Sequence, residues 1–330
     1  MKKTIAITSA LAAVSSLATA EIKINDFLSF EGFVDMSYSH TDIDSDASGS
    51  DNENSFEIDQ VEIDWLFNFD KVTARVDLGY EGSDNQSDAE VEQAYVSYDL
   101  GNGASITAGR YESMLGLEAK EPTGLYQFST AYDDDNFLPQ YAQGVKYTKQ
   151  SDDLTYGISI QDESFDDELS GEGNLGGNDS GTYSIEAAVS LTSGALTYSL
   201  GGAWEDGDDQ GDVYVVNGHV VYVNGAWTIG AEYNIGQIEN PGGDDEDLTS
   251  GLIMANYAYS DCCSITGRIS FGESEEGASD EDFIKYTLAH NYAVTDNLAI
   301  ITEVSLREDE DDAGDDTDTL VGAVEVLFTF

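Results

Sequence analysis

The last twelve residues, 319–330, decide the fold of this chain and read TLVGAVEVLFTF. Every second position of this stretch is apolar or glycine: Leu320, Gly322, Val324, Val326, Phe328 and Phe330. The positions between them are mixed and include Glu325. Because successive side chains of a strand point to opposite faces, this pattern predicts a β-strand with one apolar face and an aromatic carboxy terminus.

The same alternation recurs along the chain about every twenty residues, and about sixteen such segments can be counted. Two of them, residues 61–69 and 72–80, are separated only by Asp70 and Lys71, which predicts a β-hairpin. Short links of this kind alternate with longer acidic links, which we expect at 41–55, 82–88, 162–181, 206–211, 236–247, 273–281 and 308–318. Short turns at one end and long loops at the other are typical of membrane β-barrels.

The amino terminus predicts export. Lys2 and Lys3 precede a mostly apolar stretch, and residues 18–20 read ATA, which is typical of a signal-peptide cleavage site. We therefore expect residues 1–20 to be removed and residues 21–330 to form one barrel domain. After residue 20 the sequence has no apolar run of 18 or more residues, so it predicts no transmembrane helix.

Composition excludes one class of partner. Acidic residues outnumber basic ones 66 to 12, and the formal charge is −54, so we expect no nucleic-acid binding. Alternation alone does not distinguish a soluble sandwich, whose apolar face points inward, from a membrane barrel, whose apolar face meets lipid. Aromatic residues at the segment ends, among them Tyr98, Trp227 and Tyr292, favour the membrane barrel because they suit its interfacial girdles.

The export signal, the rhythm of about sixteen strands and the terminal Phe330 together resemble the Gram-negative outer-membrane porins over nearly the whole of 21–330. The stretch 106–132, ITAGRYESMLGLEAKEPTGLYQFSTAY, is similar to the "GR-aromatic … GLE" segment of some porin-type barrels. The PEFGGD-like motif of the enterobacterial porins is missing from the sequence. The resemblance implies an all-β transmembrane barrel with periplasmic turns, extracellular loops and a long third loop in the lumen. It also implies a homotrimer surrounded by outer-membrane lipid and lipopolysaccharide, and contact of Phe330 with the barrel-assembly machinery.

The stretch 111–141, YESMLGLEAKEPTGLYQFSTAYDDDNFLPQY, is the expected constriction loop. It has about thirty residues without sustained alternation, and such irregular stretches in compact domains are usually functional or disordered. Its apolar run 125–132 would be costly to expose, so we expect it to pack on the inner wall. Charged side chains of the loop are candidates for lining the constriction: Glu118, Lys120, Glu121, Asp133, Asp134 and Asp135.

Charged residues on the polar face of the strands, or at the root of the loop, are candidates for the lumen wall. They are Glu62, Asp64, Arg75, Asp77, Arg110, Lys146, Arg268 and Lys285. Arg75, Lys146 and Arg268 are expected to oppose the loop carboxylates, either as part of a transverse field or simply as ion pairs that stabilise the wall.

These features predict a water-filled diffusion channel for small hydrophilic solutes, with a preference for cations because carboxylates line the lumen. Two alternatives stay open: a substrate-selective or adhesin-type barrel, and a secreted acidic soluble β-protein.

We expect no enzyme and no cofactor, since His40, His219 and His290 are scattered along the sequence. The acidic runs 44–53, 133–135, 244–247 and 308–318 are candidates for loose binding of Ca²⁺ or Mg²⁺. The adjacent Cys262 and Cys263 cannot staple distant segments, and we interpret them as small residues at a strand start, with a vicinal disulfide or metal ligation as alternatives.

Overall fold

A computed structural model describes residues 21–81, 90–133, 136–162, 164–165, 183–207 and 211–330. The predicted signal peptide, 1–20, lies outside these residues. A two-residue strand, β1 (Ile22–Lys23), precedes the sixteen long strands. In chain order the first eight long strands are β2 (Leu28–Ser45), β3 (Gly49–Phe69), β4 (Val72–Glu81), β5 (Glu90–Gly101), β6 (Ala104–Glu112), β7 (Tyr141–Gln150), β8 (Leu154–Gln161) and β9 (Ser184–Ser193). The others are β10 (Leu196–Glu205), β11 (Val213–Asn224), β12 (Trp227–Ile238), β13 (Glu246–Ser260), β14 (Cys263–Glu276), β15 (Ser279–Thr295), β16 (Leu298–Glu310) and β17 (Asp316–Thr329).

The long strands form a closed antiparallel barrel. Each pairs with its neighbours in sequence, and β17 closes the barrel on β2 from Thr329 opposite Phe33 to Thr317 opposite Ser45. Next to the Thr329–Phe33 pair, Phe330 and Gly32 exchange two backbone hydrogen bonds of 2.9 Å, and β1 pairs with the following part of β2. Within the apolar belt each described long strand is thus paired on both sides, as a strand in lipid requires. The predicted all-β barrel of about sixteen strands is thus confirmed.

The sequence also predicts seven short turns, at 70–71, 101–103, 151–153, 193–194, 224–225, 260–262 and 293–296, and short links at or next to all seven lie at one end of the barrel. At the other end the predicted loops 41–55 and 273–281 are wrong, because the strands continue through most of their residues, whereas 82–88 and most of 162–181 lie outside the described residues. β2 and β3 are linked by residues 46–48 alone, and β14 and β15 by residues 277–278. Alternation fades where both faces of a strand meet water, whereas the backbone ladder does not depend on side-chain polarity. The acidic segments therefore form hairpins that extend beyond the apolar belt.

The two faces of the barrel are opposite to those of a soluble protein. Inward-facing Glu62, Asp77 and Glu186 are at most 1% exposed, whereas outward-facing Ile253 and Leu288 are 64% and 62% exposed. Such a continuous exposed apolar belt suits lipid rather than water. The alternative of a soluble acidic β-protein is therefore wrong. In the described part of the chain, no helix has both the length and the apolar character needed to cross a membrane.

Candidate functional site

The described residues between β6 and β7, 113–133 and 136–140, run inside the barrel and are called the inner loop below. It has one turn of 3-10 helix, Pro122–Gly124, and otherwise irregular backbone. Side chains of this loop pack against inward-facing apolar side chains of β11, β13 and β15, and the cluster comprises Leu117, Tyr126, Ala131, Tyr132, Val221, Leu252, Met254 and Phe283. The expectation that the third long connection folds into the lumen is confirmed.

A small residue on the wall makes room for this packing. Leu117 is fully buried against Gly230 of β12, where an added Cβ would lie 2.9 Å from the Leu117 Cδ2. This contact could not be predicted from the sequence, because a glycine on the lumen face satisfies the alternation of a strand as well as a polar residue would.

Arg268 of β14 holds the inner loop through its guanidinium group. Nη1 donates to Glu118 Oε1 at 2.7 Å and to the Ser129 carbonyl at 2.9 Å, and Nη2 donates to the Thr130 carbonyl at 2.8 Å. A planar fork with several donors suits this simultaneous binding of a carboxylate and backbone carbonyls. We expected Glu118 to face the aqueous path, but it is instead used to fasten the loop to the wall.

Wall carboxylates bind the other side of the loop backbone. Glu303 accepts hydrogen bonds from the Phe128 and Ser129 amides at 2.8 and 3.1 Å, and Glu186 accepts from the Met114 amide at 2.8 Å. The candidate set did not include Glu186 or Glu303. Their place on the polar face of their strands was visible in the sequence, but their acceptance of loop amides depends on the loop path.

Asp133 faces two basic side chains of neighbouring strands. Lys285 Nζ lies 2.6 Å from Asp133 Oδ1, and Arg307 Nη1 lies 3.4 Å from Asp133 Oδ2. Lys285 also donates to the Thr130 carbonyl at 3.1 Å. Asp133 thus marks the end of the loop segment that is fastened to β14–β16, and the candidates Asp134 and Asp135 lie outside the described residues.

Glu121 carries the loop to the opposite wall. Glu121 accepts a hydrogen bond from the side-chain amide of Gln60 at 3.2 Å and another from the Tyr141 hydroxyl at 2.9 Å. Oxygens of Glu121, Glu62 and Glu92 lie within 4.8 Å of one another. Burial and the neighbouring Glu92 raise the pKa of Glu121 well above its usual 4.5, so this contact favours the protonated carboxyl.

Lys120 is half-buried and its Nζ lies 3.3 Å from the Pro139 carbonyl oxygen. Burial lowers the pKa of Lys120 below its usual 10.5, and the charge of Glu112 opposes this effect. Lys120 therefore connects the first part of the inner loop to its last part at Pro139.

Arg75 of β4 is surrounded by carboxylates of the wall itself. Its Nε lies 2.7 Å from Asp77, its Nη2 3.0 Å from Asp64 and 4.0 Å from Glu62, and its Nη1 3.9 Å from Glu31. The expected pairing of Arg75 with loop carboxylates is not among these ion pairs. Glu62, Asp64 and Asp77 also bring carboxylate oxygens within 4.8 Å of one another.

The remaining basic candidates contact backbone and aromatic groups. Arg110 donates to the Glu92 carbonyl at 3.0 Å and lies over the Tyr141 ring. Lys146 donates to the Glu112 carbonyl at 3.0 Å, with Nζ 4.2 Å from the centroid of the Tyr111 ring. Both stabilise the root of the loop, and the structure does not place Lys146 as an ion-pair partner of Glu118, Glu121 or Asp133.

The expectation of loose divalent cation binding stays a prediction. Among the described residues, an exposed carboxylate group of the kind that hard cations prefer lies at Glu273, Glu275 and Asp280, which is outside the acidic runs selected from the sequence. It is formed across the β14–β15 hairpin, so only strand register brings its members together.

Solved structures with the same architecture support this description of the fold. The outer membrane channel DcaP of Acinetobacter baumannii is 13% identical, with a TM-score of 0.69 over 92% of this chain and 97% of that one. The anion-selective porin from Comamonas acidovorans is 14% identical, with a TM-score of 0.68 over 92% and 99%. OmpT of Vibrio cholerae in its trimer form is 12% identical, with a TM-score of 0.63 over 92% and 99%.

No curated protein sequence matches this chain. A family model does match it, over residues 28–330, which is the whole barrel from the start of β2 to the terminal phenylalanine. Strand closure, an outward apolar belt and a loop folded into the lumen are the features expected of a porin. The chain is an outer-membrane β-barrel and belongs to the family described as "Putative beta-barrel porin-2, OmpL-like".

Proposed function

We propose that the chain forms a water-filled channel that passes small hydrophilic solutes by diffusion across the outer membrane and prefers cations to anions. The observation that carries this proposal is the division of charge inside the barrel. On the β14–β16 side, the basic side chains form ion pairs with carboxylates: Arg268 with Glu118, Lys285 with Asp133, and Arg307 with Asp133 and Asp309.

The wall formed by β17 and β2–β5 has a different balance and is called the acidic wall below. Its inner carboxylates are Glu31, Asp35, Asp59, Glu62, Asp64, Asp77, Glu92 and Glu325. Arg75 contacts four of these eight groups, so carboxyl groups outnumber basic side chains on this wall. Carboxylates around an aqueous path lower the barrier for cations and raise it for anions.

The aqueous path lies beside the acidic wall. Arg75 and Glu31 keep 26% and 18% of their side chains exposed although they point to the inside of the barrel, whereas the Arg268 side chain under the loop is 0% exposed. The inner loop is fastened to the β9–β16 side by apolar packing and ion pairs, so the remaining water-accessible space borders β2–β4. Solute then passes between the loop and Arg75 with its surrounding carboxylates.

The test is the reversal potential across a planar bilayer that separates two KCl concentrations. We expect the sign that corresponds to cation preference, and a smaller value for Glu31→Gln. The matched control is Asp51→Asn in the exposed β2–β3 hairpin, which removes the same charge outside the lumen. At about 1 M salt, screening acts within roughly 3 Å, so the lumen variant should still differ from the wild type and the hairpin variant should not. Anion preference of the wild-type channel would contradict the proposal.

We also propose a homotrimer in vivo, on the model of the trimeric form recorded for a protein of the same fold. Light scattering of the detergent-solubilised protein should give three chains per particle.

The channel is proposed to act without catalysis. Contact of Phe330 with the barrel-assembly machinery stays a prediction, and the outer-membrane yield of a chain that lacks Phe330 tests it.

A further inference from the structure

The turn between β13 and β14 brings two thiols together on the outside of the barrel. Cys262 is exposed and Cys263 is half-buried, and their Sγ atoms lie 3.1 Å apart. Adjacent residues of a regular strand point to opposite faces. Here the β13–β14 register shifts between Ala258 and Ser260, and this irregularity lets the turn place both sulfurs on one side. They are the two cysteines of the 330-residue sequence.

Polar side chains of the neighbouring strands surround this pair. The Ser260 hydroxyl lies 3.5 Å from Cys262 Sγ, and the Tyr259 side chain lies near Cys263. The Tyr259 hydroxyl is 2.7 Å from Nε2 of His290 on β15. Tyr259 therefore lies beside both the His290 imidazole and the cysteine pair.

Backbone geometry disfavours a disulfide between these residues. Adjacent Cα atoms are about 3.8 Å apart across a trans peptide bond, whereas disulfides usually need about 4.4–6.8 Å. A bond formed outside that range is strained and is more easily reduced. The pair is thus better suited to act as a dithiol ligand than as a covalent link.

We propose that Cys262 and Cys263 form a binding site for a thiophilic metal cation such as Zn²⁺ or Cu⁺, with His290 as a third ligand. Thiolate sulfur and imidazole nitrogen are the ligands that these cations prefer over the carboxylate oxygens abundant elsewhere in the chain. Binding replaces the two thiol protons by the metal, releases them to solvent, and exchanges the Tyr259–His290 hydrogen bond for a metal–nitrogen bond.

The two sulfurs need only a small movement, whereas the His290 imidazole must turn from the Tyr259 hydroxyl towards them. With metal–sulfur bonds of about 2.3 Å, a tetrahedral site places its sulfurs roughly 3.7 Å apart. The observed 3.1 Å must therefore widen by about 0.6 Å, and the exposed side chain of Cys262 can turn outward without disturbing the barrel. The site lies at the short-turn end on the outer surface, so it does not depend on the proposed conduction path.

The test is titration of the folded, thiol-reduced barrel in detergent with Cd²⁺ as a spectroscopic probe and with Zn²⁺, in a large excess of Mg²⁺ that occupies carboxylates. We expect one Cd²⁺ per chain with the ultraviolet absorption of sulfur-to-metal charge transfer. Cys262→Ser and Cys263→Ser should each abolish the one-to-one complex. His290→Gln should retain the charge-transfer band and weaken Zn²⁺ affinity about tenfold or more.

The matched control is the double variant Cys262→Ser/Cys263→Ser, which keeps every carboxylate and the His290 imidazole. Its barrel should remain folded, as judged by its heat-dependent shift in gel mobility, and should bind no Cd²⁺ under these conditions. Equal binding by this variant would overturn the proposal. A thiol titration of the unreduced protein that finds no free thiols would also overturn it. Unchanged Zn²⁺ affinity in His290→Gln would overturn the assignment of His290 as the third ligand.

Discussion

At the scale of single residues, Arg268 shows how a buried charge fastens a loop inside a barrel. Its guanidinium binds Glu118 and two loop carbonyls, and its side chain is fully buried. A buried ion pair adds little net stability, but removal of one partner leaves the other charge without compensation. The pair thus fixes where the loop lies more than it stabilises the barrel, whose strands keep their own backbone ladder.

We predict that Arg268→Gln weakens docking of the inner loop by about 3–5 kcal/mol while the barrel stays folded. The stability of loop docking in Arg268→Lys should lie between that of Arg268→Gln and that of the wild type, because lysine keeps the charge but loses the planar fork. Hydrogen exchange of the Ser129 and Thr130 amides, compared with that of β14 amides, measures the effect. Uniformly faster exchange over the loop and the strands would show that Arg268 supports the barrel rather than the loop.

At the scale of elements, the inner loop is the segment that we propose to set the width of the path. Its apolar side chains pack on β11–β15. Glu118 binds Arg268 and Asp133 binds Lys285. Glu121 binds the Gln60 side chain and the Tyr141 hydroxyl. Most of the loop is thus fastened along the β9–β16 side of the lumen, and Glu121 reaches Gln60 on the acidic wall.

Replacement of residues 117–135 by a short Gly-Ser link should therefore raise the single-channel conductance and the size limit for neutral solutes. The control shortens the β16–β17 connection at residues 311–315, which lies at the same end of the barrel but outside the lumen. Its conductance should equal that of the wild type in high salt. If the shortened inner loop leaves both conductance and size limit unchanged, the loop is not the constriction.

At the scale of the whole molecule, the outward belt makes lipid part of the folding free energy. Leu288 lies in the middle of β15 and is 62% exposed, whereas Leu154 begins β8 at the short-turn end and is 37% exposed. A cation near the bilayer midplane is costly, and the cost falls towards the interface.

Leu288→Arg should destabilise the barrel in lipid vesicles by about 2–4 kcal/mol, and Leu154→Arg by about 1 kcal/mol or less. Leu288→Ala separates the loss of the apolar side chain from the introduction of charge. Denaturant titrations of reversible folding into vesicles measure all three. An equal effect of arginine at both positions would mean that the belt does not lie at the depth proposed.

The strand rhythm, the short turns and the closing strand that ends in Phe330 could be predicted from the amino-acid sequence. These are local properties, since a period of two residues and a tight turn are written in neighbouring side chains. The sequence also predicted that the apolar run 125–132 would pack inward, because Leu125 and Tyr126 could not be left in water at low cost. It missed the strands through the acidic hairpins, where alternation is lost although the ladder continues.

The partners of the charged side chains, in contrast, became visible only in the folded barrel. Glu118 binds Arg268 across 150 residues of sequence, and Glu303 accepts amides 174 and 175 residues away. No local pattern encodes such pairs, because they depend on barrel closure and on the path of the loop through the lumen. The convergence of Cys262 and Cys263 with Tyr259 and His290 likewise required strand register. Periodicity is a property of one segment, whereas a site is a property of several segments held together by packing.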